Sequence, residues 1–155
     1  MMLAYRLMRL IETHSDALAA GLLAKVQTSE LTRAYCNVAP EDLQQRVYEI
    51  YRHLGNWLLG KSDFDIEQRY EEIGLRRVHQ GVPISELIWA IILTKENLWE
   101  FLKQECTLER PPEVFGELEM MQLLDYFFDR AIYYASVGYE RALSAHAIPN
   151  AGVAH

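Results

Sequence analysis

The stretch Pro40-Glu41-Asp42-Leu43-Gln44-Gln45-Arg46-Val47-Tyr48-Glu49-Ile50-Tyr51-Arg52-His53-Leu54-Gly55-Asn56-Trp57-Leu58-Leu59-Gly60 decides the fold. At 100° per residue, Leu43, Val47, Ile50, Tyr51, Leu54, Trp57 and Leu58 fall on one stripe. That is the 3.6 period of an amphipathic helix, not the period of two that a half-buried strand requires. Pro40 suits the first helical position, where its missing N–H costs nothing. Glu41 and Asp42 complement the positive end of the helix dipole, and Gly60 is a natural stop.

The same period runs outward in both directions, and no segment alternates long enough to make a strand. Five principal helices are predicted, over about 3–26, 40–59, 63–80, 84–105 and 113–144, with a short helical turn near 29–36. Ser62 or Asp63 caps the third helix, which buries Ile66, Tyr70, Ile73 and Gly74 and ends at Gly81. Pro83 opens the fourth after almost no loop, so these two helices turn back sharply on each other. Gly74 and Gly81 lie seven apart on one face, which lets a neighbouring helix approach closely. The fourth helix carries Ile84, Leu87, Ile88, Ile91, Leu98, Trp99 and Leu102 inward. Pro111 and Pro112 mark the next turn. The last helix turns Met120, Leu124, Phe127, Phe128, Ala131, Ala135 and Ala142 inward, and Glu119, Gln122, Asp125, Asp129 and Glu140 outward. The expected fold is all-α: an antiparallel bundle or a globin-like packing of about five principal helices. Residues 1–144 read as a single domain and 145–155 as a flexible tail.

The chain has 155 residues, 50% of them hydrophobic and 24% charged, which is the balance of an ordinary globule. Its 15 Lys and Arg against 22 Asp and Glu leave a net charge of −7. Such an acidic chain lacks the electrostatic footprint for nucleic acid or an anionic membrane. No apolar run is long enough to span a bilayer, and no signal peptide is evident. The two cysteines, Cys36 and Cys106, make no disulfide scaffold and fit a reducing cytoplasm.

Chemistry-bearing motifs are absent. There is no G-x-S-x-G, no G-x-x-x-x-G-K-S/T and no G-x-G-x-x-G, so the chain is expected not to be an enzyme. Glu49 and His53 stand four apart, without the paired Glu-x-x-His helices of a di-iron bundle; no metal or other cofactor is expected. His79 lacks the following Lys-Gly of a phosphotransfer histidine, and its place opposite the buried stripe turns it to solvent. A haem ligand would have to point into an apolar pocket. His14, centred among Leu3, Leu7, Leu10, Leu18 and Gly21, is the residue so placed, as a ligand or as a hydrogen-bonded core histidine.

Two cations interrupt apolar faces. Arg77 falls in the middle of the third helix's stripe, and Lys95 lies between Ile91 and Leu98 in the fourth's. A buried charge must be paired or solvated. One reading pairs them with flanking acids such as Glu49, Glu72, Asp125 or Asp129, or lets them snorkel. The other makes them a pocket for an anionic small molecule, with Arg77 as bidentate clamp and Lys95 as point charge. The assigned inward faces contain no Asp or Glu. A second anomaly is Trp89 with Leu93, on the otherwise polar side of the fourth helix. They form either a patch for a partner helix or a surface covered by another helix of the same domain.

The stretches Tyr70-Glu71-Glu72-Ile73-Gly74-Leu75-Arg76-Arg77-Val78-His79-Gln80-Gly81-Val82-Pro83-Ile84-Ser85-Glu86-Leu87 and Ala90-Ile91-Ile92-Leu93-Thr94-Lys95-Glu96-Asn97-Leu98-Trp99-Glu100-Phe101 follow a family pattern. So does Tyr126-Phe127-Phe128-Asp129-Arg130-Ala131-Ile132-Tyr133-Tyr134, with Gly138-Tyr139-Glu140 beyond. Together they resemble the N-terminal sensor-type domain of bacterial RsbT co-antagonist (RsbRD-like) proteins, found also ahead of some histidine kinases. The likeness is best over 40–144. Gly74, Arg77, Gly81, Val82 and Pro83 match its helix–helix corner, and Lys95 and Trp99 its next helix. The resemblance implies a cytoplasmic, non-enzymatic input domain of stress signalling that forms a homodimer and passes its signal to an output domain. These 155 residues leave no room for a STAS domain or kinase, so the chain is expected either to act in trans on a STAS-domain or kinase-type protein or to be a piece of a longer protein. A small-molecule or haem sensor is the alternative reading.

Overall fold

The structure is a computed structural model that describes the backbone of residues 2–105 and 111–153, with side chains over 4–105 and 118–145. Cys106, His146, His155 and nearly all of the expected 145–155 tail therefore lie outside the described side chains. Among the described residues there are six α-helices and no strand: α1 (Met2–Thr13), α2 (Ser15–Thr28), α3 (Pro40–Arg52), α4 (Asp63–His79), α5 (Ile84–Glu105) and α6 (Pro111–Val153). A 3-10 helix over Glu30–Asn37 links α2 to α3, and a π-turn over Asn56–Gly60 follows α3. The chain is an all-α bundle, with the 3-10 segment where the short helical turn was expected.

The first predicted helix is two. At the break, three side chains bond back to carbonyls of the preceding turn. Thr13 Oγ1 donates to Arg9 O (2.8 Å), His14 Nδ1 lies 2.9 Å from Leu10 O, and Ser15 Oγ donates to Glu12 O (2.8 Å). Such local bonds compete with the helical ladder, and His14 leaves the helical region at φ −100°, ψ 17°. The buried stripe runs Ala4, Leu7, Met8, Ile11, Ser15, Leu18, Leu22 and Val26. It is centred one residue away from the line through His14, which is why His14 is exposed rather than inward.

The second predicted helix also breaks, at His53. The break leaves the Gly55 N–H without its helical acceptor, and Glu12 Oε2 of α1 accepts from it at 3.0 Å. The chain resumes as a π-turn closed by Lys61 N–H to Asn56 O (2.6 Å). The predicted stripe survives the break: Leu43, Val47, Ile50, Tyr51, Leu54 and Trp57 are all buried. Ser62 caps α4 in a reciprocal box. Its hydroxyl accepts from the Asp65 N–H, and the Asp65 carboxylate accepts from the Ser62 N–H at 2.8 Å. Those hydrogen bonds, the Ser62 backbone first, hold the Asp65 carboxyl below its ordinary range.

α4 and α6 pack against each other at backbone distance. Asp63 lies against Tyr126 and Arg130, and Glu71 against Gly138 and Arg141, so the two helices run parallel. α5 returns antiparallel between them in sequence. The core centres on Phe127, whose ring meets Phe128 (5.1 Å), Tyr70 (5.8 Å) and Trp57 (5.9 Å) edge-on. Every inward residue predicted for α6 is buried.

Candidate functional site

The site grows from the corner between α4 and α5. Gly81 has φ +71° and is the positive-φ residue of the chain's described part. Its N–H donates to Val78 O (3.1 Å), and the next N–H, of Val82, reaches back to Arg77 O (3.0 Å). This paired closure ends α4 with a left-handed residue, which a glycine adopts without steric cost. Pro83 then accepts from the N–H groups of Glu86 and Leu87, so it caps α5 with its carbonyl. Tyr139 of α6 pins the corner by donating its hydroxyl to Val82 O at 2.7 Å.

Arg77 lies one turn before that corner, on the buried face of α4, and is 4% exposed. Its Nη1 donates to Gln80 Oε1 at 2.7 Å, and its guanidinium carbon stands 5.2 Å from the Tyr35 ring centre. Its Nε is buried without a hydrogen-bond partner. No carboxylate pairs with Arg77 among the described residues. Glu86, whose charge acts on Tyr35, spends Oε1 on the Ala34 N–H at 2.8 Å. Burial pushes the Tyr35 phenol up, and Arg77 opposes that rise by charge and hydrogen bonding.

Arg77 borders a half-open cavity of about 60 Å³ at the junction of α2, the 3-10 helix, α3, α4, α5 and α6. The walls are largely apolar, with Leu22, Val26, Ile50 and Ile91 among them. Tyr35, Tyr70, Thr94 and two further arginines, Arg46 and Arg69, complete the polar part. Arg69 is ion-paired with Glu49 through Nη2 and lies over Trp57, 5.8 Å from the ring centre, while its Nε, like that of Arg77, is buried without a hydrogen-bond partner. The cavity therefore has a mostly apolar body and a buried guanidinium, that of Arg77, without a carboxylate partner among the described residues.

The structure does not bring the other expected ligand residues to this cavity. Lys95 pairs with Asp125 of α6 at 3.9 Å, and its side chain is 28% exposed, as the ion-pair reading required. His14 stands at the α1–α2 break, exposed, with its ring 5.4 Å from Phe101. It does not point into an apolar pocket, so the haem-ligand reading loses its residue. Trp89 and Leu93 are half-buried, and Leu93 packs on the core, so it belongs to the fold rather than to an open patch. Gly74, Gly81 and Pro83 all sit at the corner or the crossing beside it.

Sequence reasoning missed Tyr35, which comes from a short segment with no helical stripe to place it, and Gln80, a polar residue at the very end of the third predicted helix. It missed Gly138, though the small residues Ala131, Ala135, Gly138 and Ala142 on α6 carry that signal. It also missed Asn97, which is buried and fully bonded. Asn97 Nδ2 donates to Leu18 O (3.0 Å) and to the Tyr51 hydroxyl (3.3 Å), while Lys25 Nζ donates to its Oδ1 (2.7 Å). Tyr51 in turn donates to Thr94 O at 2.9 Å. Among the described residues no three His, Cys, Asp or Glu side chains gather as a metal site, and no helix is long and apolar enough to cross a membrane.

Residues 4–147 match the family model of the RsbT co-antagonist protein rsbRD N-terminal domain. The chain matches no curated protein and no solved structure.

Proposed function

The chain belongs to the RsbT co-antagonist protein rsbRD N-terminal domain family, and from that premise we propose a non-enzymatic input domain that signals by protein–protein contact. The family supports a signalling or regulatory domain of the sensor type. The finer reading is a homodimer in the bacterial cytoplasm, acting in stress signalling on a STAS-domain or kinase-type protein in trans.

The observation that carries the contact reading is the outer side of α6. Leu118, Tyr133 and Leu143 lie there within about 80° of one another on the helical wheel. They are 48%, 63% and 48% exposed, respectively. Large apolar side chains held out on one side of a long helix suit a helix of a partner. Trp89, half-buried on α5, is a second contact candidate.

Sedimentation equilibrium at micromolar concentration tests this reading. Wild type should sediment as a dimer, and Tyr133→Asp with Leu143→Asp should give a monomer with unchanged helical circular dichroism. A monomeric wild type, or a double variant that stays dimeric, overturns the contact.

A further inference from the structure

We infer that the cavity beside Arg77 is a binding site for a short-chain monocarboxylate, with the guanidinium as its anchor. The inference concerns a ligand and does not rest on the dimer contact.

The argument starts from the charge. Arginine keeps its proton in proteins, so Arg77 is a cation at 4% exposure. A buried cation needs an anion or a full set of acceptors. Arg77 has only neutral partners, Gln80 Oε1 and the Tyr35 side chain, and its Nε has nothing. Arg69 lines the same cavity and also has an unpartnered Nε, but unlike Arg77 it has a counter-charge, Glu49. With Arg69 neutralised by Glu49, the wall retains the positive charge of Arg77 and Arg46, and Glu86 offsets part of it from beside Tyr35.

Shape and size then select the class. A guanidinium presents paired N–H donors that match the two oxygens of a carboxylate. The body of the wall, with Leu22, Val26, Ile50 and Ile91, is hydrocarbon, beside the polar side chains of Tyr35, Arg46, Arg69, Tyr70 and Thr94. A carboxylate on a short hydrocarbon matches that combination of a guanidinium anchor and a largely apolar body. A site for one water needs about 10–15 Å³ of such volume. The 60 Å³ present thus accommodates a ligand of about four to six heavy atoms, the range from acetate to butyrate.

Position makes the site consequential. Arg77 lies three residues past Gly74, where α4 touches the α6 backbone, and its carbonyl closes the corner that Tyr139 pins from α6. A carboxylate on Arg77 braces the end of α4 against both.

The test is thermal unfolding of the full chain in sodium acetate, propionate and butyrate, against sodium chloride and nitrate at equal ionic strength. Wild type should show a saturable rise in Tm with the carboxylates and none with chloride or nitrate. Arg77→Met should abolish the rise, Arg77→Lys should weaken apparent affinity at least tenfold, and Lys95→Met should keep it. Should Arg77→Met fail to fold, Ala90→Val decides. Ala90 lines the cavity from α5, and the added methyls should remove the butyrate response before the acetate response. Absence of a saturable rise in wild type overturns the inference. An equal rise with chloride or nitrate overturns the carboxylate assignment, and unchanged responses in folded Arg77→Met or Ala90→Val overturn the location.

Discussion

Gly74 of α4 and Gly138 of α6 open one close crossing from its two sides, since a Cβ on either would run into the backbone of the opposite helix. A Cβ on Gly74 would collide with Ala135 O and stand 2.6 Å from Tyr139 N. A Cβ on Gly138 would collide with Glu71 O and stand 2.6 Å from Glu71 Cα. The obstacles are backbone atoms, which cannot swing aside as a side-chain tip can.

Gly74→Ala and Gly138→Ala should therefore each lower stability by about 1–3 kcal/mol through overpacking, read as a shift in urea midpoint. Their effects should be non-additive, because both act on one contact. Gly21 supplies the control. It lies mid-helix in α2, and an added Cβ would meet only Asn97 Oδ1 at an ordinary 3.9 Å. Gly21→Ala should stabilise by about 0.5–1 kcal/mol, the helix preference of alanine over glycine. Equal responses at Gly21 and Gly74 would contradict the close crossing.

Asn97 ties α2, α3 and α5 together through bonds to Leu18 O, Tyr51 and Lys25. Asn97→Leu keeps the shape and loses these bonds, so it should cost about 1–3 kcal/mol. A double-mutant cycle with Tyr51→Phe should return a coupling of at least about 0.5 kcal/mol, since the two side chains share a hydrogen bond. Simple additivity would show that the Asn97–Tyr51 bond contributes nothing.

Tyr35, Tyr51 and Tyr70 predict how stability depends on alkaline pH. Burial, the leading cause in each, raises all three phenols above the ordinary 10.0. Below pH 10 both folded and unfolded chains keep these protons, and the contribution is fully present. Above it the unfolded chain releases them while the folded chain does not, so stability falls as pH rises towards the folded values. The slope is at most about 1.4 kcal/mol per pH unit for each tyrosine. Urea midpoints at pH 9, 10 and 11 should drop, and Tyr70→Phe should flatten the drop by one tyrosine's share. A midpoint constant across that range would mean that the phenols ionise freely in the folded state.

Helical class, the inward faces of α3 to α6, the Ser62 start of α4 and the Gly81–Pro83 corner were legible in the sequence. Each depends on neighbours three or four residues apart, or on a cap within one turn, and such information is local. The misplacement of His14 is the same principle at its limit. Leu3, Leu7, Leu10 and Leu18 make a plausible stripe beside the true one, and only packing distinguishes lines one residue apart. The buried state of Arg77 was also readable from its wheel position. Its lack of a carboxylate was not, because that depends on where Glu49 and Glu86 spend their oxygens, on Arg69 and on Ala34. Lys95 looked equivalent along the chain, yet the approach of α6 brings Asp125 to it. Gly138 and Gly74, 64 positions apart, became partners only when α4 and α6 packed side by side. The sequence by itself determined which surfaces are apolar and where the helices turn. The tertiary structure alone decided which cation has a partner and which two backbones touch, because those depend on distances between segments that no local period encodes.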